Sequence, residues 1–187
     1  MAHQIETLEK LKKGNELYLS AKSNPGDVSP EVRKDTTVNG QHPATIVVCC
    51  SDSRVVPEAI FSAGIGEIFV IRVAGNVLLD TQLASVQYAA GHLHSKTIIV
   101  LGHTHCGAVG ATLAGGAHGF VKILTDEIKA AIGDEKDEYQ AVVKNTMAGV
   151  AAIKTKLADD HEALTPETDV LGAVYDIETG KVEWLAE

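Results

Sequence analysis

The fold of this chain follows from one segment, Val47-Val48-Cys49-Cys50-Ser51-Asp52-Ser53-Arg54. A run of apolar, mostly β-branched residues starts at Ala44 and ends abruptly in thiols, a carboxylate and a guanidinium. Buried parallel strands are rich in Val and Ile, and they carry functional side chains to the loop at their carboxyl end. The segment therefore predicts a buried strand over residues 44–50 with reactive groups at its tip.

A second run of the same kind, residues 97–102, ends in His103-Thr104-His105-Cys106. Two buried parallel strands can lie side by side, so their tips can meet at one edge of the sheet. Two thiolates and one imidazole are sufficient to hold Zn²⁺ and to leave one coordination position open. We therefore predict that Cys50, His103 and Cys106 bind zinc in an enzyme that adds water to its substrate.

The other thiol and imidazole groups near these tips have simpler explanations. Most single cysteines are buried apolar thiols, and the meeting of two tips is what favours a metal site for Cys50 and Cys106. Side chains alternate along a strand, so Cys49 is predicted to face away from Cys50 and into the core. His105 is a rival ligand, a proton shuttle or a solvated turn residue, and His92 and His94 are further candidates for a shuttle.

The pair Asp52 and Arg54 lies just past the first strand. A carboxylate beside a guanidinium stays ionised, and it can then accept a hydrogen bond from a reacting water and orient it. We predict this catalytic role for both residues; a structural ion pair at the surface is the alternative.

Composition limits the functions that need to be considered. The chain has 187 residues, 45% of them hydrophobic, which predicts one domain with a sizeable core. A formal net charge of −9 argues against nucleic acid and anionic membranes as partners. No apolar run is long enough to span a bilayer, and the first residues lack the features of a signal peptide, so we expect a cytoplasmic protein. Three cysteines in a reducing compartment favour metal binding over disulfides.

Strands and helices alternate in the predicted order of elements. The predicted helices cover about residues 4–22, a segment starting at Pro30, 57–62, 80–94 with Asp80 as its N-cap, 120–132 and 136–159. The predicted strands cover residues 44–50, 67–72, 97–102, 169–176 and 181–185, the last two joined by a hairpin turn. This order predicts one α/β domain over residues 1–187. A mainly parallel central sheet flanked by helices forms its core (39–187), with short C-terminal strands and a helical arm (1–38) that must pack on this core or on a second subunit.

The motif Cys50-x-Asp52-x-Arg54, followed by His103-x-x-Cys106-Gly107, resembles the β-class carbonic anhydrases. The likeness extends from Gly40 to about Gly110. It implies that Cys50, His103 and Cys106 bind zinc and that Asp52 and Arg54 are catalytic. The implied reaction is the reversible hydration of CO₂ to bicarbonate and a proton by attack of zinc-bound hydroxide. In some members the aspartate turns to become a fourth zinc ligand, which closes the site.

The same resemblance implies a substrate pocket and an oligomer. Gln41, Phe69, Ala74 and Tyr88 match positions that bind substrate or line the apolar pocket. The family is built of dimers with the cleft at the subunit interface, so we expect a homodimer or a tetramer. Val73 departs from the family, which often has asparagine there, and this departure bears on pocket shape.

Two other functions remain open at this point. A hydrolase acting on carbonyl sulfide or carbon disulfide could use the same zinc site. A non-catalytic domain stabilised by zinc is the second, although a purely structural site has little use for Asp52 and Arg54 beside the metal. A thiol redox protein is disfavoured because the sequence contains no Cys-x-x-Cys.

Overall fold

The computed structural model describes residues 2–186, with side chains from Ile5 onward, so Met1 and Glu187 at the ends of the predicted domain lie outside it. The helices are α1 (Ala2–Tyr18), α2 (Pro30–Asn39), α3 (Pro57–Ile60), α4 (Asp80–Gly91), α5 (Gly107–Leu113), α6 (Val121–Ile132) and α7 (Glu138–Lys156). The strands are β1 (Thr45–Cys49), β2 (Ile68–Arg72), β3 (Thr97–His103), β4 (Asp169–Tyr175) and β5 (Val182–Trp184). Within the described range, no helix is both long and apolar enough to cross a bilayer.

The five strands form one sheet in the order β2-β1-β3-β4-β5. The first four are parallel and β5 is antiparallel to β4, which confirms the predicted mainly parallel sheet with a short C-terminal hairpin. Cys49 lies in register with Leu101 on β3, and His103 lies in register with Tyr175 on β4. The carboxyl ends of β1 and β3 are therefore neighbours, and their tips open on the same edge of the sheet.

Side chains of β1 alternate between two apolar layers. Ile46 and Val48 pack in a core that also contains α4 and α7 residues such as Val86 and Ile153. Val47 and Cys49 enter the core on the other face of the sheet, which includes Leu11 of α1. All five β1 residues are buried, as expected for a central strand covered on both faces. Cys49 thus lies in the core, as its position next to Cys50 predicts.

Several predicted helix ends lie a few residues from those of the structure, and two of these differences have a clear physical reason. The first helix ends at Tyr18 instead of about residue 22, because the N–H groups of Ser20 and Ala21 bond three residues back, as in the tightened last turn of a helix. Asp80 is not the N-cap of α4: Leu79 holds that position and makes no side-chain cap. Asp80 lies in the first helical turn, where its carboxylate is favourable to the helix dipole.

The arm splits into one docked and one exposed helix. Asn15 of α1 donates from Nδ2 to the carbonyls of Ile60 (3.2 Å) and Gly180 (2.9 Å), and its Oδ1 accepts the Val182 N–H (3.0 Å). Gly14 permits this docking, since a Cβ there would lie 1.9 Å from the Phe61 carbonyl oxygen. By contrast, α2 contains no buried residue among those described. The chain's own core therefore accounts for the packing of α1 alone.

Candidate metal centre

The predicted ligands meet at the adjoining tips of β1 and β3. Cys50 directly follows β1, His103 is the last residue of β3, and Cys106 directly precedes α5. All three side chains are buried, and their candidate ligand atoms all lie within 4.8 Å of one another. The neighbouring His105 is exposed and is not part of this group, so the structure favours His103 over its rival.

Of the two ring nitrogens of His103, Nδ1 makes a hydrogen bond and Nε2 makes none within the described residues. Nδ1 lies 2.9 Å from the carbonyl oxygen of Thr104, and because a carbonyl can only accept, Nδ1 must carry the proton. Nε2 then presents a lone pair, yet it is buried and finds no hydrogen-bond partner within residues 2–186. Buried polar atoms are rarely left unpaired, and neutral His with two thiolates is a typical zinc ligand set. The residues present therefore fit zinc.

The thiols of Cys50 and Cys106 shift each other's pKa in opposite directions. The hydrogen bond from Cys106 lowers the pKa of Cys50 to about 4, against the opposing effect of burial. Backbone N–H groups of Gly75 and Asp52 also point at the Cys50 sulfur, with nitrogens 3.2 and 3.4 Å away. The same thiol–thiolate bond, together with burial, raises the pKa of Cys106. Cys50 is thus prepared as a thiolate, the form that binds metal.

Cys49 shows the opposite behaviour, although it is the next residue along the chain. Burial raises its pKa to about 12, so its thiol stays protonated and apolar. This behaviour fits its place in the core and separates it from the ligand group.

Asp52 and Arg54 form a bidentate pair beside the ligands. Arg54 donates from Nε to Oδ1 (2.9 Å) and from a terminal nitrogen to Oδ2 (2.6 Å) of Asp52. This guanidinium holds the pKa of Asp52 well below its usual range. Arg54 also donates to the carbonyl of His105 at 3.1 Å, so one side chain connects the two ligand-bearing tips.

Arg72 is a contributor that the sequence analysis did not identify. It ends β2 and donates to the backbone carbonyls of Cys50 (3.3 Å) and Asp52 (2.8 Å). The turn that carries both residues is therefore held from the neighbouring strand. The sequence does show an arginine at the end of a predicted strand. Its acceptors are backbone carbonyls, however, and no residue type in the sequence identifies them.

The four predicted pocket residues do not come together in one place. Ala74 lies next to Gly75, whose N–H reaches the Cys50 sulfur, so it borders the metal centre. Phe69 pairs with Ile46, three residues before the end of β2, which places it about 10 Å along the strand from the tips.

The other two predicted pocket residues, Tyr88 and Gln41, lie outside the ligand group as well. Tyr88 on α4 contacts Phe69 with ring centroids 6.2 Å apart, and it is 47% exposed. Gln41 is exposed and precedes the amino end of β1, the end opposite Cys50. Their role as pocket residues stays a prediction, since the structure does not bring Gln41, Phe69 and Tyr88 to the metal centre of their own chain.

The candidate shuttle histidines lie in different surroundings. The ring of His92 contacts that of Tyr88, with centroids 5.4 Å apart. His105 Nδ1 lies 3.7 Å from a carboxylate oxygen of Glu138. His94 has a left-handed backbone with φ of 58° at the turn after α4. His92 is thus associated with the predicted pocket residues, and His105 with the metal centre.

Comparisons with known proteins agree with this site. The family model described as Carbonic anhydrase matches residues 45–182. A carbonic anhydrase of Mycolicibacterium smegmatis is 31% identical over 195 residues, covering 97% of this chain and 93% of the relative. The solved β-carbonic anhydrase CafA of Aspergillus fumigatus superposes with a TM-score of 0.73 at 25% identity, covering 100% of this chain and 91% of that one.

A second solved structure gives the same result. The β-carbonic anhydrase of Coccomyxa, in complex with acetazolamide, superposes with a TM-score of 0.72 at 25% identity, covering 86% of this chain and 87% of that chain. The residues matched by the family model include both ligand-bearing tips and all four parallel strands.

Proposed function

Because this chain belongs to the β-carbonic anhydrase family and is a carbonic anhydrase, we propose that it catalyses the reversible hydration of CO₂ to bicarbonate and a proton. We propose zinc as its cofactor, held by Cys50, His103 and Cys106. The observation that carries this proposal is the buried, unpaired Nε2 of His103 beside two thiol sulfurs, with an ionised carboxylate next to them. Zinc held by three protein ligands supplies a Lewis acid that lowers the pKa of a water molecule to about 7.

In this proposal Asp52 orients the attacking water. Its carboxylate only accepts hydrogen bonds. Oδ1 accepts two from Arg54, one from the backbone N–H and one from Nε, whereas Oδ2 accepts one and keeps a lone pair for the water. Because its pKa is so low, Asp52 does not store the proton at neutral pH; it fixes the direction from which the water approaches the substrate carbon. Arg54 keeps the carboxylate ionised and fixed in place.

The same geometry favours an open site over a closed one. For Asp52 to become a fourth ligand it must turn away from Arg54 and give up two charge-assisted hydrogen bonds. We therefore propose that Asp52 leaves the fourth position to water, and that the closed state requires the bidentate pair to break.

We propose that the CO₂ pocket is shared between two copies of the chain. Ala74 borders the metal centre of its own chain, whereas Gln41, Phe69 and Tyr88 lie toward other parts of the surface. In the proposed homodimer, each chain places these three residues beside the metal centre of the other chain. The result is an apolar cavity for a linear, apolar substrate. Exposed apolar side chains at Phe120 (90%) and Tyr88 (47%) are consistent with such an interface, and the proposal covers both a homodimer and a tetramer built from such dimers.

We propose that the protein works in the cytoplasm. Its three cysteines are free, and two of them must stay reduced to bind zinc. The net charge of −9 argues against nucleic acid and anionic membranes as partners.

The decisive experiment combines zinc analysis with gas assays on the purified protein. We expect one zinc per chain and rapid hydration of CO₂ in a stopped-flow indicator assay, lost after chelation and restored by zinc. Carbonyl sulfide and carbon disulfide are assayed on the same preparation. Faster turnover of either gas would replace this proposal with a hydrolase, and full zinc content with no turnover of any gas would leave a zinc-stabilised binding domain.

A further inference from the structure

Thr104 joins the metal centre to the C-terminal hairpin, which consists of β4, β5 and the turn between them. Its N–H donates to the carbonyl of Tyr175 at 3.0 Å, extending the β3–β4 pairing by one residue. Its hydroxyl oxygen accepts the N–H of Ile177 at 3.1 Å. The peptide of Thr104 is therefore fixed on the hairpin side by a backbone bond and a side-chain bond.

The carbonyl of the same residue controls the imidazole of His103. It accepts the Nδ1 proton at 2.9 Å, which sets both the tautomer and the rotation of the ring. Histidine ligands commonly depend on such a partner for their orientation and basicity. Because the carbonyl belongs to Thr104, its direction follows from how that residue is held against the hairpin.

The hairpin is itself anchored, so it can serve as a rigid support. The N–H of Asp176 donates to the carbonyl of Lys181 at 2.9 Å across the turn. The hydroxyl of Tyr175 lies 2.9 Å from that of Tyr18, and Asn15 holds two further hairpin residues. Helix α1 thereby fixes the hairpin from the other side.

We propose that Thr104 is a positioning residue for the zinc ligand His103, acting through the bond between its hydroxyl and the hairpin. This inference rests on the proposed zinc-dependent function. It predicts that loss of the hydroxyl loosens the Thr104 peptide, lets the imidazole rotate, and weakens the hold on the metal without removing any ligand atom.

Three variants test the role of the hydroxyl. Thr104→Val keeps the shape and removes the oxygen, and Thr104→Ser restores it. Thr146→Val is the matched control, because its hydroxyl is buried near Gly102 on β3 but lacks a hydrogen-bond partner in the described part of the chain. Zinc affinity is measured by chelator competition, and the electronic absorption of the cobalt-substituted proteins reports ligand geometry.

We expect Thr104→Val to weaken zinc binding about 10-fold or more and to alter the cobalt spectrum. Thr104→Ser and Thr146→Val are expected to stay within about threefold of the unmodified protein, well below the 10-fold loss typical of such supporting residues. Circular dichroism and thermal unfolding verify that each variant folds. Should the valine variant unfold, Thr104→Ala, which also lacks the hydroxyl, is compared with Thr104→Ser in its place.

The outcomes separate this inference from the function on which it rests. If the unmodified protein binds zinc and Thr104→Val binds it equally well with an unchanged cobalt spectrum, Thr104 only stabilises the hairpin and the inference is wrong. If Thr146→Val weakens zinc binding as much as Thr104→Val does, the effect is general packing and the inference is again wrong. If the unmodified protein binds no zinc, the proposed function and this inference both fail.

Discussion

The metal centre and the predicted substrate pocket are built in contrasting ways. At the tips of β1 and β3, ligands from distant parts of the sequence are buried, within 4.8 Å of one another, and supported by residues of the same chain. Gln41 and Tyr88 are exposed, and Phe69 lies about 10 Å along its strand from those tips. Under the proposed function, one chain carries the chemistry, while substrate binding depends on the assembly of two chains.

The largest expected effect comes from removing a ligand from the self-contained region. Cys106→Ser replaces a soft sulfur with a weakly basic hydroxyl, so zinc affinity should fall more than the roughly 100-fold seen when supporting residues are lost. Metal analysis after gel filtration measures this loss, and hydration should disappear with it.

Cys49→Ala is the matched control for that variant. It removes a thiol that packs in the core and does not touch the metal group, so zinc and activity should remain while stability falls modestly. Full zinc occupancy in Cys106→Ser, or zinc loss in Cys49→Ala, would show that the ligand set is wrongly assigned.

The next effect separates metal binding from catalysis within the same region. Asp52→Asn keeps the size of the side chain but replaces one acceptor oxygen with a donor amide. Zinc content should be unchanged, and kcat/KM for CO₂ should fall about 100-fold or more, the usual range for a lost acid–base or orienting group. Unchanged turnover would reduce the Asp52–Arg54 pair to a structural ion pair.

A smaller effect is expected in the pocket region, and it can be rescued. Tyr88→Ala should retain zinc but lower kcat/KM. When mixed with Cys106→Ser, it should form mixed dimers in which its own metal centre faces the partner's intact Tyr88. A 1:1 mixture that exchanges subunits freely should recover about a quarter of normal activity, because half the dimers are mixed and each has one complete site.

The control for rescue is a Cys106→Ser chain that also carries Tyr88→Ala. This doubly substituted chain can form the same dimers but cannot supply the missing tyrosine ring. Its mixture with Tyr88→Ala should therefore recover no hydration activity. Equal activity in both mixtures would place Tyr88 in the pocket of its own chain. The pocket would then be built within one chain, as the metal centre is.

The smallest effect comes from an ion pair outside both regions. Glu135 accepts from Lys144 at 2.8 Å and from the N–H groups of Lys136 and Asp137. These bonds lower its pKa from 4.5 to about 2, with Lys144 the main cause. A lowered folded-state pKa adds stability above pH 4.5 that is lost as the pH falls toward 2.

Glu135→Gln should therefore lower the thermal midpoint slightly at pH 7, and this difference should shrink as the pH drops below 4.5. Zinc content and hydration should not change. A difference that persists at pH 3 would mean that the carboxylate charge is not its source.

The metal centre was the most predictable part of the molecule because its signals are local. A β-branched run ending in Cys50, and another ending in His103, each specify a strand and its functional tip. Parallel pairing then brings the tips together, so the grouping of Cys50, His103 and Cys106 follows from pattern and topology. The parts that were missed depend on bonds to distant backbone atoms. Arg72 and Thr104 act on carbonyls and N–H groups, and no side-chain pattern in the sequence marks those targets.

The helical arm shows the same limit. Hydrophobic periodicity predicted a first helix. It did not predict that the Asn15 side chain would hydrogen-bond to two carbonyls and one N–H far along the chain. The end of α1 and the cap of α4 were misplaced because they depend on backbone geometry at single residues, where Leu79 stands in a position that propensity assigns to a polar side chain.

Arg54, which grips Asp52 and also reaches the His105 carbonyl across 51 residues of chain, has a thermodynamic consequence. These bonds connect the loop that follows β1 to the loop that follows β3, and so hold the proposed ligand residues close together before a metal binds. Most of the entropy lost in gathering the donors is then spent during folding, and little remains to be lost when an ion arrives. Such preorganisation favours tight binding of the proposed metal.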